Sequence, residues 1–282
     1  MKVLRTAREV RAWRADAGRV GFVPTMGALH AGHISLMERA VREADAPIAS
    51  IFVNPTQFAP HEDYAKYPRR EDDDVAMLEA AGVAAAFVPS ALEMYPAGAK
   101  ASLDPGPIAE PLEGRVRPGH FAGVVTVVER LFTIVQPDIA LFGQKDFQQL
   151  RVIQVVLGPR HPKLRIVGCP IVREADGLAM SSRNAYLSAD ERRRALVLSR
   201  GLFAARDLWA GGTREAERLT NAVRRHVDAP GVSLEYVSAA DPITLAELRG
   251  RADRAVVSLA ARVGRARLID NVLLGMDVNE LS

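Results

Sequence analysis

Five short apolar runs punctuate the first part of the chain: VGFV (20–23), PIASIFV (47–53), VAAAFV (83–88), DIALFG (138–143) and LRIVG (164–168). Between them lie longer stretches with helical periodicity, among them HISLMERAVREAD, DDDVAMLEAAG, FAGVVTVVERLFTIV and DFQQLRVIQVVL. A continuous apolar run of this length suits a strand buried on both faces, and such strands need helices above and below. The alternation therefore predicts an α/β fold, a Rossmann-like, doubly wound parallel sheet. In sheets of this kind ligands bind beyond the carboxyl ends of the strands, where the winding reverses.

After Arg173 the texture changes. Two long helical patterns, ADERRRALVLSRGLFAARDLWAGG and TREAERLTNAVRRHV, precede the strand-like VSLEYVSAAD, AVVSLAARV and ARLIDNVLL. The last two meet around Gly264 as a hairpin. A chain of 282 residues accommodates two domains. The expected division is a Rossmann-like domain over 1–171 and a smaller α+β domain over 172–282. The Pro- and Gly-rich stretch from Leu92 to Gly119 is longer than a connector needs to be. It reads equally as a binding loop or lid and as a poorly ordered excursion.

Composition narrows the functional classes. Hydrophobic content of 48% and charged content of 25% are those of a soluble globular protein. The charged N-terminus lacks the apolar core of a signal peptide, and no run approaches membrane-spanning length. The single cysteine, Cys169, cannot form an internal disulfide and reads as a small buried residue, which fits the cytoplasm. A net charge of +3 is spread along the chain. The triplet Arg192–Arg194 reads as a solvated helix face, so a nucleic-acid footprint is not expected. Mild basicity suits a small polyanionic ligand.

The chemistry concentrates in three segments. In PTMGALHAGHISL a strand runs into a turn, and a helix is expected to begin near Gly32–His33. His30 and His33 then share the first helical turn, where free N–H groups and the dipole attract phosphate. Gly27 and Gly32 would allow close approach of a nucleotide to the backbone. Capping histidines and a zinc pair are the competing readings, with His61 and Glu62 as the nearest further ligands. In ALFGQKDFQQL, Lys145 is one of only five lysines among 37 basic residues, and a mobile ammonium suits a transferring phosphate. Asp146 would cap the helix or meet a ribose. In VREADGLAMSSRNAYL, Ser181, Ser182 and Arg183 could clamp a polyphosphate while Ser188 caps the next helix. Gln57 and Gln149, neutral amides near strand ends, could orient a small polar substrate.

Together PTMGALHAGH, FVNPTQF, RPGHFAGVVTVV, FGQKDFQQL and READGLAMSSRN resemble, in order, the motifs of the pantothenate synthetase family, whose members join pantoate to β-alanine with ATP. The HxGH and MSSR elements are also similar to the HIGH and KMSKS elements of class I aminoacyl-tRNA synthetases. Gln144 departs from the commoner FGEKD form, and little functional change is expected from it. The resemblance implies pantoyl-adenylate formation with release of pyrophosphate, then attack by β-alanine with release of AMP. It implies that His30, His33 and Lys145 neutralise charge on the phosphates, and that Ser181, Ser182 and Arg183 hold the outer phosphates with Mg²⁺. Met26, Gly143, Asp146, Val172 and Met180 join them around ATP by the same resemblance. Pro24, Met26, Gln57 and Gln149 would hold pantoate. A homodimer is implied; and because water would destroy an adenylate, the smaller domain and the Ser181–Arg183 loop are expected to close over it when ATP binds. No metal ligands are assigned; Asp72, Asp73 and Asp74 are explained by the helix dipole, with a metal contact as the competing reading. Another HxGH nucleotidyltransferase and a non-catalytic nucleotide sensor remain the alternatives.

Overall fold

In the computed structural model all five apolar runs become parallel strands of one sheet. The structure describes residues 1–60, 62 and 64–281. By their contacts these form two compact units, Met1–Gly143 with Gln148–Cys169, and Gln144–Phe147 with Pro170–Leu281. Residues 144–147, part of the first domain in the sequence reading, cluster with the second unit.

The first unit runs β1 (Lys2–Leu4), α1 (Ala7–Ala15), β2 (Val20–Thr25), α2 (Ala31–Glu43), β3 (Ala46–Ile51), α3 (Glu71–Ala80) and β4 (Ala85–Phe87). It continues through α4 (Ala91–Met94), α5 (Glu113–Val116), α6 (His120–Val135), β5 (Ile139–Gly143), α7 (Phe147–Leu157) and β6 (Arg165–Cys169). The strand order is β1-β4-β3-β2-β5-β6. From β2 the chain winds outward through β3 and β4, then returns to lay β5 against the other side of β2. The winding reverses between β2 and β5, which is where such sheets place ligands. The edge strand β1 was not anticipated. Its three residues pair with β4, Val3 opposite Ala86, and are too few to carry a period.

Both faces of the sheet are covered, as alternation along the strands requires. Val23, Ile139 and Leu141 pack with Leu36, Met37 and Ala40 of α2 and Leu78 of α3. The intervening residues face the other way, where Phe22 and Phe142 each meet Phe132 of α6 edge-on at 6.4 Å between ring centroids. Phe22 and Phe132 are fully buried, each contributing roughly 1.5–3 kcal/mol of burial.

The 92–119 stretch is an ordered path, not a loose excursion. The Thr126 hydroxyl accepts the N–H groups of Ser102 and Leu103. The Gln148 amide accepts from Glu113 N and donates to the carbonyls of Ile108 and Pro111.

In the second unit Ser188 caps α8 (Ala189–Ala210) in a reciprocal box with Glu191, as the sequence suggests. After α9 (Ala216–Val227), β7 (Val232–Ala240), β8 (Ala255–Val263) and β9 (Ala266–Leu274) form an antiparallel sheet. The β8–β9 turn contains Gly264 at φ +56°. Leu198, Leu202, Leu219 and Val223 bury the helical faces against Val257 and Leu259. Arg192 is more than part of a solvated face, since its guanidinium lies 2.7 Å from both Glu174 and Asp176. Among the described residues no helix is long and apolar enough to cross a membrane.

Candidate active site

β2 ends at Thr25, and the next five residues form the turn that carries His30, with His33 in the first turn of the helix that follows. Gly27 and Ala28 are both left-handed, at φ +79° and +51°. A side chain at Gly27 would meet the Asp74 carboxylate at 2.7 Å, so glycine is required there on two counts. Ala28 has no such freedom and is held by Asp74, whose two oxygens accept Ala28 N at 2.9 Å and Leu29 N at 2.8 Å. Asp74 is 3% exposed. Burial pushes its carboxyl above the usual carboxylate range against the pull of those two N–H groups. Its oxygens are engaged by the turn, so Asp74 anchors the turn in addition to lying in the acidic first turn of α3. Glu71, Asp72 and Asp73 do line the first turn of α3.

α2 begins at Ala31, one residue earlier than expected, and His30 is its cap. Gly32 N–H donates to His30 Nδ1 at 3.1 Å. Because Nδ1 is an acceptor, the ring proton sits on Nε2. The Gly32 amide at the head of the helix is thus already engaged. The His30 and His33 rings lie 4.1 Å apart at 34°.

A second network fixes Gln57. Asn54, 1% exposed, caps the Pro55–Gln57 turn by accepting Thr56 N and donates to Gln57 Oε1 at 3.0 Å. Tyr95 O–H donates to Asn54 Oδ1 at 2.8 Å. Gln57 Nε2 then lies 3.2 Å from Met26 Sδ, so two residues expected around pantoate are neighbours. His120 grips the Gln57 carbonyl through Nδ1 at 2.9 Å. Arg117 can only donate, so its contact with His120 Nε2 at 3.1 Å makes that nitrogen the acceptor and Nδ1 the donor. Burial, then the Arg117 charge, hold the His120 imidazole down to about 4. Glu62 forms a two-pronged pair with Arg117 at 2.6 and 2.9 Å. Burial would raise its carboxyl, but Arg117 outweighs burial and holds it at about 2. Glu62 is therefore engaged by Arg117; its neighbour His61 lies outside the described residues. Gln149 occupies the first turn of α7, while Pro24 lies within β2.

In the second unit Lys145 and Asp146 share the turn Gln144–Asp146 that follows Gly143, with the ammonium 3.4 Å from the carboxylate. Arg173 pairs across a bridge with Ala179, and Met180 N donates to Val172 O at 3.0 Å, which brings Val172 beside Met180. Ser181 accepts Arg183 N at 3.3 Å and opens the turn Ser182–Tyr186. The Ser181 oxygen is thus already an acceptor, contrary to the expectation that only Ser188 does capping work. Among the described residues no three His, Cys, Asp or Glu side chains cluster as a metal cage.

Asn54, Tyr95 and His120 escaped the sequence reading, as did the turn-anchoring role of Asp74. Asn54 and His120 stood inside quoted motifs, whereas the partners of Asp74 and Tyr95 lie about 40 residues away or more.

A histidine-bearing turn heading a helix, behind the strand where a doubly wound parallel sheet reverses, defines a Rossmann-like α/β protein of the HxGH kind. The family model described as Pantoate-beta-alanine ligase matches residues 2–273. The pantothenate synthetase of Roseiflexus sp. (strain RS-1) is 52% identical over 276 residues, 97% of this chain and 99% of that protein. The crystal structure of pantothenate synthetase from Thermus thermophilus superposes with a TM-score of 0.90 at 44% identity, covering 96% and 99% of the two chains. A pantoate-beta-alanine ligase from Francisella tularensis, complexed with beta-gamma ATP and beta-alanine, gives 0.80 at 34% identity over 98% and 99%. The chain belongs to the pantoate–β-alanine ligase family and is a ligase of pantothenate biosynthesis.

Proposed function

We propose that the chain condenses pantoate with β-alanine in two ATP-driven steps. A pantoate carboxylate oxygen attacks the α-phosphorus of ATP, forming an O–P bond as the bond to pyrophosphate breaks. The β-alanine amine then attacks the acyl carbon, and AMP leaves with the electron pair while the ammonium loses its proton. The observation that carries this reading is the close, tilted His30–His33 pair at the head of α2, with His30 tautomerically fixed by Gly32. The ATP and β-alanine of the Francisella complex support it.

His30 and His33 would donate to phosphoryl oxygens as charge builds on them, with Lys145 adding a full positive charge. Ser181, Ser182 and Arg183 would hold the outer phosphates, with Met26, Gly143, Asp146, Val172 and Met180 around the rest of the nucleotide. Gln57, with its carbonyl and Oε1 both fixed, would offer Nε2 to pantoate beside Met26 and Pro24, and Gln149 would join it. Mg²⁺ would enter bound to ATP, since it commonly takes one or two carboxylates plus substrate phosphates. Half-exposed Asp146 fits as such a carboxylate, whereas Asp74, with both oxygens engaged, does not. A homodimer working in the cytoplasm is part of the proposal on the family resemblance.

The test is pyrophosphate release from MgATP with pantoate, before and after β-alanine, with AMP followed in parallel. Pantoate-dependent release, with sustained AMP only once β-alanine is present, is expected. Lys145→Ala should lower the rate roughly 10²–10³-fold, as removal of one preorganised donor does. A stable nucleotide-linked product would point to another transferase, and ATP binding without turnover to a sensor.

A further inference from the structure

Neighbouring residues of β9, Asp270 and Asn271, are 4% and 2% exposed, and both carry polar side chains turned to other segments of the same unit. Asn271 Nδ2 donates to the carbonyls of Gln144 and Lys145, each at 3.0 Å, and Asn271 Oδ1 accepts Gln144 Nε2 at 3.1 Å. The two carbonyls can only accept, so the amide has one orientation that satisfies all three bonds. The main chain of Asn271 is engaged as well: its N–H donates to Asp270 Oδ1, and its carbonyl accepts Arg173 Nη2 at 3.3 Å. Asp270 meanwhile binds Arg173 through both oxygens at 2.7 and 2.9 Å. Arg173 stands at the base of the bridged segment that leads to Ser181–Arg183.

A turn of three residues has little to hold its own shape, and two of its carbonyls are fastened by one side chain from a strand. We propose that Asn271 is a positioning residue for Lys145, and that Asp270–Asn271 forms a bracket setting the Lys145 turn and the Arg173 segment in one register. The bracket would act on catalysis without touching substrate: it fixes the main chain from which the ammonium projects. Misplacement of a reacting group by about 1 Å can lower a rate 10²-fold. The proposal rests on the phosphate role proposed above for Lys145, and its test separates the two.

The experiment is a double-mutant cycle of Asn271→Ala and Lys145→Ala, read by pantoate-dependent exchange of labelled pyrophosphate into ATP, with thermal melting of each variant. Asn271→Ala should lower the exchange rate roughly ten- to a hundred-fold, mainly in kcat and with a smaller change in KM for ATP. In the Lys145→Ala background the same substitution should have less than about a threefold effect, because the group it positions is gone. Equal losses in both backgrounds, or no loss in Asn271→Ala alone, would overturn the proposal. Wild-type exchange in Lys145→Ala alone would instead remove the phosphate role on which it rests. If Asn271→Ala does not fold, Asn271→Ser, which keeps one donor, takes its place with the same criteria.

Discussion

Removing the Asp74 carboxylate would leave the N–H groups of Ala28 and Leu29 without the acceptors they now have. Ala28 would also lose what holds its left-handed backbone, a conformation that costs of order 1–3 kcal/mol in a non-glycine residue. Asp74→Ala is therefore expected to destabilise the protein by about 1–3 kcal/mol and to slow pyrophosphate exchange at least about tenfold. Asp74→Asn, which keeps one acceptor, should fall between. Melting and exchange measured on both variants check this, and wild-type exchange in Asp74→Ala would show that the turn holds itself. The histidines were legible because their spacing and the preceding apolar run are local. Asp74 was not, because its partners are 45 and 46 residues away, and a run of acids at a helix start has a sufficient local explanation.

At the scale of elements, α6 lies directly on the Pro55–Gln57 turn. A Cβ at Gly123 would fall 2.3 Å from the Thr56 carbonyl oxygen and 2.7 Å from Gln57 N, and backbone cannot swing aside as a flexible side chain does. Gly123→Ala is expected to displace the turn, raising KM for pantoate about tenfold or more, with a stability loss of about 1–3 kcal/mol. Steady-state kinetics with pantoate varied would show it; an unchanged KM would place Gln57 outside pantoate binding. Gly123 looks in sequence like one more small residue in an apolar helix, and only the packing reveals what it makes room for. The strands and the β8–β9 hairpin were legible from their period and from Gly264. The edge strand β1 was not, since its pairing with β4 is about 80 residues distant.

For the molecule as a whole, acid should be the harsh direction. The unfolded His120 takes up a proton near its ordinary 6.5, while the folded one resists until about 4. Between those values the unfolded state binds the extra proton, so stability contributed by neutral His120 is present above 6.5 and is lost as pH falls toward 4. Glu62, held at about 2 against an ordinary 4.5, extends the loss from 4.5 downward by the same sign. Denaturant midpoints from pH 7.5 to 4 should fall with pH, and the fall should be shallower in His120→Asn, whose amide can still donate to the Gln57 carbonyl. An equal slope in that variant would show that His120 is not the group responsible. The two-part texture of the chain was legible in the switch of pattern after Arg173. That residues 144–147 cluster with the second unit was not, because the tie is made by a strand still to come.

That tie has a consequence for the order in which the protein comes into being. A ribosome finishes all six parallel strands by Cys169, and they can begin to pair while the rest is still being made. The carbonyls of Gln144 and Lys145 wait a further 127 and 126 residues for Asn271. A nascent chain can thus hold its sheet for some time before its lysine turn is fastened, and the last of the long strands to leave the ribosome is the one that fastens it.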